Sequence, residues 1–266
     1  MAAASQAVPG EFDSRHLLQK STNFGKKFVD FTYLYKLYLY FESSIRRKVV
    51  KINFLGDSIT QGVGASSEEN CYVSLVGQML GVEVCNYGVG GTRFARQKHR
   101  SWVCVWDYDF QMRMQLMAQM DGDADLVFVF GGTNDYGHGD AEIGEKDSFD
   151  PYTFYGAINN IVSFLIEKYG KEKICFILPT PRYNQDNIYG SRNKEKASLT
   201  LCGYVEAIKE RLNFYKVEYI DLFEKFIPIP QVNTGDEYTI DGLHPNDKGH
   251  QFIAEKIVEY IQTRKE

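Results

Sequence analysis

Three side chains in this sequence have the types that nucleophilic acyl chemistry requires: Ser58, Asp241 and His244. A serine hydroxyl is a weak nucleophile until a base takes its proton. Imidazole can be that base near neutral pH, and a carboxylate that accepts from its other ring N–H selects the tautomer that faces the serine. Asp241 and His244 stand three positions apart in Asp241-Gly-Leu-His244-Pro245, so one loop can carry both. Ser58 lies far away, in Gly56-Asp57-Ser58-Ile59-Thr60. Taken singly, Ser58 reads as a helix cap and His244 as a surface residue. Taken together they point to Ser58 as nucleophile, His244 as base and Asp241 as its orienter.

Acyl transfer also needs donors aimed at the developing oxyanion. Two segments offer them. In Asn86-Tyr-Gly88-Val-Gly90-Gly91-Thr92 a backbone without side chains can come close to a substrate, and Gly131-Gly132-Thr133-Asn134-Asp135 presents an amide on a tight turn. The backbone N–H groups of Ser58 and Gly91, with the Asn134 side chain, form a candidate three-donor hole.

The elements that must position these groups are legible as periodicity. Five apolar, β-branched or aromatic runs, at 49–55, 82–87, 125–130, 173–178 and 217–222, read as buried parallel strands. Amphipathic stretches separate them. The clearest spans 151–169, with Phe154, Ile158, Ile161, Val162, Leu165 and Ile166 at three- and four-residue spacing, Asp150 as expected N-cap and Gly170 as stop. A last helix is expected over 246–263. Right-handed crossovers turn this alternation into an α/β fold, a three-layer α/β/α sandwich around a five-stranded parallel sheet. In such sheets ligands bind beyond the carboxyl ends of the strands, which is where each candidate residue falls.

Jointly, Gly56-Asp57-Ser58, Gly91, Gly132-Thr133-Asn134-Asp135 and Asp241-Gly-Leu-His244 resemble the four signature blocks of the SGNH/GDSL hydrolases, in order and over about residues 50–263. Ile59 stands where the nominal GDSL spelling has Leu, a variable position. The resemblance implies a flavodoxin-like sandwich and a Ser-His-Asp esterase with no metal or organic cofactor. It assigns Ser58, Gly91 and Asn134 to the oxyanion hole. Competing motifs fit poorly. Arg93 occupies the last position of the nearest G-x-G-x-x-G, no phosphate-cradling P-loop occurs, and Ser58 has no G-x-S-x-G elbow. The five histidines form no compact ligand cluster, and the five cysteines have no C-x-x-C pair, so neither a zinc site nor a disulfide framework is expected. Cys175, within an apolar run, reads as buried packing.

The 266 residues carry a formal charge of −5, which disfavours nucleic acid as a partner. The N-terminus lacks the basic and apolar regions of a secretory leader, and the most apolar stretch, 28–41, falls short of the ~20 residues a spanning helix needs. A cytoplasmic protein with no membrane partner is expected. Residues 1–48 read as an aromatic-rich arm and 49–266 as the catalytic domain. The arm either packs on its own domain or makes a homodimer.

The loops at 136–150 and 180–190 are polar and are expected to rim the pocket. Arg93, Tyr136, Arg182 and Tyr183 are the candidate substrate contacts, with Trp102 and Trp106 as further stacking surfaces. A polar rim favours removal of short acyl groups such as acetyl from a carbohydrate or other small polar alcohol. The alternatives are a lipase, lysophospholipase or thioesterase, or a non-catalytic small-ligand module on the same fold.

Overall fold

The computed structural model describes residues 51–98, 109–110, 113, 120–192, 194–225 and 234–264. The arm at 1–48, Trp102 and Trp106 lie outside them. Five strands form one parallel sheet: β1 Lys51–Gly56, β2 Glu83–Gly88, β3 Leu126–Phe130, β4 Ile174–Ile177 and β5 Glu218–Ile220. Their order is β2-β1-β3-β4-β5, the doubly wound arrangement. Each expected run contains its strand to within one or two residues at either end. β3 and β4 are buried at every position and β1 at all but Lys51, whereas the edge strands β2 and β5 are partly exposed. Central strands covered on both faces have no reason to alternate, hence their continuous apolar sequence.

The period of two within the sheet still sorts side chains between two cores. On one face Ile52, Phe54, Phe128 and Ile177 pack with α2 (Tyr72–Leu80) and α7 (Asp247–Thr263), through residues such as Val73, Val76, Ile253 and Ile257. On the other, Leu55, Val127, Val129 and Phe176 meet α4 (Phe154–Tyr169) and α5 (Leu201–Tyr215). The result is the three-layer α/β/α sandwich. Cys175 is buried in β4, as its apolar neighbours imply. Short helices complete the described set: α1 (Ser58–Gln61), α3 (Thr133–His138) and α6 (Leu222–Lys225). No helix among the described residues is long and apolar enough to cross a membrane.

One boundary differs from expectation. α4 starts at Phe154, and its cap is Thr153, whose hydroxyl accepts from Gly156 N, rather than Asp150. The Asp150 carboxylate instead accepts from Tyr152 N at 3.0 Å, so it closes the turn before the helix. Gly170 ends the helix at φ 86°, as expected, and Asn246 caps α7 through Gly249 N.

The sheet edge that faces the site is assembled by direct backbone contact. β1 leads into α1, and the end of β2 lies against that turn so closely that a Cβ on Gly88 would sit 2.2 Å from Gln61 N and 2.5 Å from Thr60 C. Only glycine fits there. Gly88→Ala is therefore expected to lower the unfolding free energy by about 1–3 kcal/mol, the usual cost of overpacking, because backbone rather than a flexible side chain must give way. Urea denaturation would register this as a lower midpoint with an unchanged slope.

Candidate active site

Ser58 is the first residue of α1, at the carboxyl end of β1. Asp57 caps this turn by accepting from Ile59 N at 3.0 Å, which fixes the Ser58 backbone. Ser58 Oγ lies 3.0 Å from His244 Nε2. On the far side of the ring, His244 Nδ1 lies 2.7 Å from Asp241 Oδ2. The second carboxylate oxygen accepts from the backbone N–H groups of His244 and Leu243 at 2.7 and 3.0 Å. A carboxylate that closes its own turn in this way orients the ring and holds Nδ1–H, leaving the Nε2 lone pair toward Ser58. Partial burial pushes Asp241 upward, but the backbone and imidazole of His244 outweigh it and hold the acid below its ordinary value. The expected serine, histidine and aspartate thus form one continuous chain.

Several residues that the sequence reading passed over lock the histidine loop to the serine loop. Asp247, at the start of α7, accepts from Ser66 N at 2.7 Å and from Ser66 Oγ at 2.6 Å. Gly64, at φ 99°, approaches Pro245 so closely that a Cβ would lie 2.1 Å from the Pro245 carbonyl oxygen. His250 on α7 accepts from Tyr72 N at 3.3 Å, supplying the cap that Cys71 does not give α2, and its Nε2 faces Val63 O at 3.4 Å. Burial pushes His250 down to about 4, so it is neutral and able to accept.

The candidate oxyanion donors gather around the same turn. A Cβ on Gly90 would lie 3.7 Å from Ser58 Cβ, so the glycine loop runs alongside the serine, and Gly91 adopts φ 76°. Among the described residues neither the Ser58 N–H nor the Gly91 N–H meets an acceptor. The Asn134 amide is engaged: it donates to Thr92 O at 3.0 Å and, at a longer 3.4 Å, to Asp57 Oδ2. An oxyanion would take the second hydrogen in place of Asp57. His138 Nε2 lies 3.1 Å from Asn134 Oδ1, and Arg93 donates to His138 Nδ1 at 3.0 Å. Since a guanidinium only donates, His138 carries its proton on Nε2 and fixes the amide orientation. Asp135 accepts from Phe94 N and Ala95 N at 2.8 and 2.9 Å, drawing in the loop after Gly91. Buried Arg113 donates to Gly56 O and Tyr87 O, joining the ends of β1 and β2.

The four candidate substrate contacts divide. Arg93 and Tyr136 have no exposed surface, so they cannot meet a ligand and are structural. Arg93 serves His138, while the Tyr136 hydroxyl donates to Asn184 O. Arg182 and Tyr183 do line a cleft of about 350 Å³ beside His244. The 180–190 loop rims it as expected, but the 136–150 loop does not line it; Ser191 and Arg192 take that place.

The model of the GDSL-like lipase/acylhydrolase family matches residues 54–252, well over half of the chain. A search of curated proteins finds no match. Among solved structures the chain resembles a protein from Lactobacillus plantarum, with 24% identity, a TM-score of 0.67 and coverage of 82% of this chain and 99% of that one. It also resembles an acetyl xylan esterase (22% identity, TM-score 0.54, 80% and 100% covered). A third is a carbohydrate acetylesterase from Sinorhizobium meliloti (15%, TM-score 0.56, 80% and 98%). At these identities the likeness is one of fold.

Burial, with Arg93 next, pushes His138 down from 6.5 to about 3. The unfolded chain therefore binds a proton that the folded one refuses, and the stability held above pH 6.5 is lost as pH falls below it. At pH 5 the loss is about 2 kcal/mol. In His138→Gln, which keeps an amide donor but cannot titrate, the drop in unfolding free energy between pH 7.5 and 5 is expected to shrink by about that amount. Chemical denaturation at the two pH values measures it.

Proposed function

From the premise that the chain belongs to the GDSL-like lipase/acylhydrolase family and is a carboxylic ester hydrolase, we propose that it works through a Ser58-His244-Asp241 triad and removes short acyl groups, acetyl above all, from a small polar alcohol such as a carbohydrate. The observation that carries the reading is the unbroken line from Ser58 Oγ through His244 to Asp241, at 3.0 and 2.7 Å.

Ser58 Oγ attacks the ester carbonyl carbon while its proton passes to His244 Nε2. The carbonyl electron pair moves onto oxygen, where the N–H groups of Ser58 and Gly91 and the Asn134 amide receive the negative charge. When the carbonyl re-forms, the alcohol leaves with the proton from His244, and Ser58 is left acylated. Water, deprotonated by the same imidazole, then releases the acid and restores the hydroxyl. Asp241 stays a carboxylate throughout and stabilises the imidazolium.

Two features support a short acyl group and a polar alcohol. Among the described residues, Gly90, Gly91 and Asn134, on the donor side of Ser58, bring no apolar side chain to clasp a long tail. The cleft beside His244 is lined by Arg182, Tyr183, Asn184 and Ser191, which suit hydroxylated or charged groups. The acetylesterase folds named above agree with this reading, which rests on the chain's own residues.

A fluorophosphonate probe is expected to label the wild type at Ser58 and to leave Ser58→Ala unlabelled. Among aryl esters, acetyl should be hydrolysed faster than butyryl and far faster than octanoyl, and a preference for octanoyl would reject the short-acyl assignment. Asn134→Ala should lower kcat by roughly 10²–10³-fold, the cost of one oxyanion donor.

A further inference from the structure

Arg182 is a buried cation that the triad does not use. Only 8% of it is exposed. One guanidinium nitrogen, Nη1, donates to Thr133 Oγ1 at 3.1 Å and to Thr133 O at 3.3 Å, and the group lies over the Tyr136 ring. Its Nε is enclosed and meets no acceptor. Among the described residues no carboxylate reaches ion-pair distance from it. The acids that act on it from further away, Asp241 and Asp57, are committed to the His244 turn and to α1. Arg211 shows the ordinary arrangement: also buried, at 4% exposed, it donates to Asn159 Oδ1 at 2.8 Å and pairs with Asp147 at 3.3 Å. A desolvated charge is normally paired, because removal from water costs more than neutral acceptors return.

The missing anion has a place to bind. Arg182 lines the cleft beside His244, and Arg192, which lines it too, brings a second guanidinium. The one carboxylate among the lining residues, Asp241, already accepts from the imidazole and from two backbone N–H groups. Position also says which half of the substrate enters. His244 and its turn form one side of the cleft, whereas Gly91 and Asn134 do not line it. The alcohol takes its proton from His244, so it departs on this side, and the acyl oxygen sits with the donors on the other.

We propose that this cleft is an anion subsite, in which Arg182 and Arg192 hold a carboxylate or phosphate carried by the alcohol half of the ester. This rests on the hydrolase reading above and narrows it to alcohols that bear a negative charge. A guanidinium binds either group through paired N–H donors, which a neutral hydroxyl cannot match.

The test compares acetyl esters of one size: 4-acetoxybenzoate and 4-acetoxyphenyl phosphate against the neutral 4-acetoxybenzamide. The readout is the ratio of kcat/KM for each anionic ester to that for the amide, within each protein, so that a loss of folded enzyme cancels. The ratio is expected to fall roughly tenfold or more from wild type to Arg182→Gln, as hydrogen bonds to charged groups are worth that much, and to fall less in Arg192→Gln. Whichever anionic ester has the larger wild-type ratio identifies the group. Should Arg182→Gln not fold, two measurements decide: the Arg192→Gln ratio, and inhibition of wild-type amide-ester hydrolysis by 4-hydroxybenzoate against 4-hydroxybenzamide. Equal ratios in wild type and variants, or equal inhibition by the two phenols, would overturn the subsite. If wild type hydrolyses the neutral ester no faster than Ser58→Ala, it is the hydrolase reading that fails instead.

Discussion

The proposed chemistry depends on one contact, Ser58 Oγ against His244 Nε2, between residues 186 positions apart. A neutral hydrogen bond contributes about 1 kcal/mol net and cannot hold its own ends together against chain entropy. The surroundings do that. A parallel sheet brings the β1 exit to one edge, Asp57 fixes the first turn of α1, and Asp241 closes the turn that carries the imidazole. Ser66, Gly64 and His250 then bind the start of α7 to the serine loop. Each of these supports is a backbone or backbone-directed contact, which places a side chain more firmly than packing of flexible groups would.

The cluster behind the glycine loop follows a different logic. Asp57 and Asp135 are fully enclosed, and burial pushes both up to about 6. Folding therefore gives up stability at neutral pH to keep them charged, since the unfolded carboxyls ionise at 3.8. In return each carboxylate fixes backbone: Ile59 N for one, Phe94 N and Ala95 N for the other. With Arg93, His138 and Arg113 they make a largely buried polar network around Asn134, where the low local dielectric strengthens each hydrogen bond.

Much of this was legible in the sequence for identifiable reasons. Strands buried on both faces leave continuous apolar runs; Ser58 stood out because it follows such a run directly, whereas Asp241 and His244, well beyond the last strand, stood out by residue type and by their three-residue spacing. Long-range pairing leaves no such mark. Nothing near Asp247 announces Ser66, and nothing near His138 announces Arg93; only folding puts them together. Arg93 and Tyr136 misled because arginine and tyrosine beside a site look like ligand contacts, whereas here both are enclosed. The α4 cap was misplaced because Asp150-Pro151 has the form of a helix start, yet the chain makes one more turn before Thr153 takes that role. Arg182 lines the cleft beside His244, but its want of an anionic partner became visible only with its neighbours in place.

The order of these parts along the polypeptide also matters during synthesis. Under the proposed mechanism the ribosome delivers the nucleophile and both donor loops long before the base, and Asp247 and His250 follow the base by three and six residues. On that reading the nascent serine waits for its base, and hydrolytic power arrives together with the docking of α7. Detaching that helix from a finished molecule would free the loop that holds the base and would also strip Ile253 and Ile257 from the core on one face of the sheet.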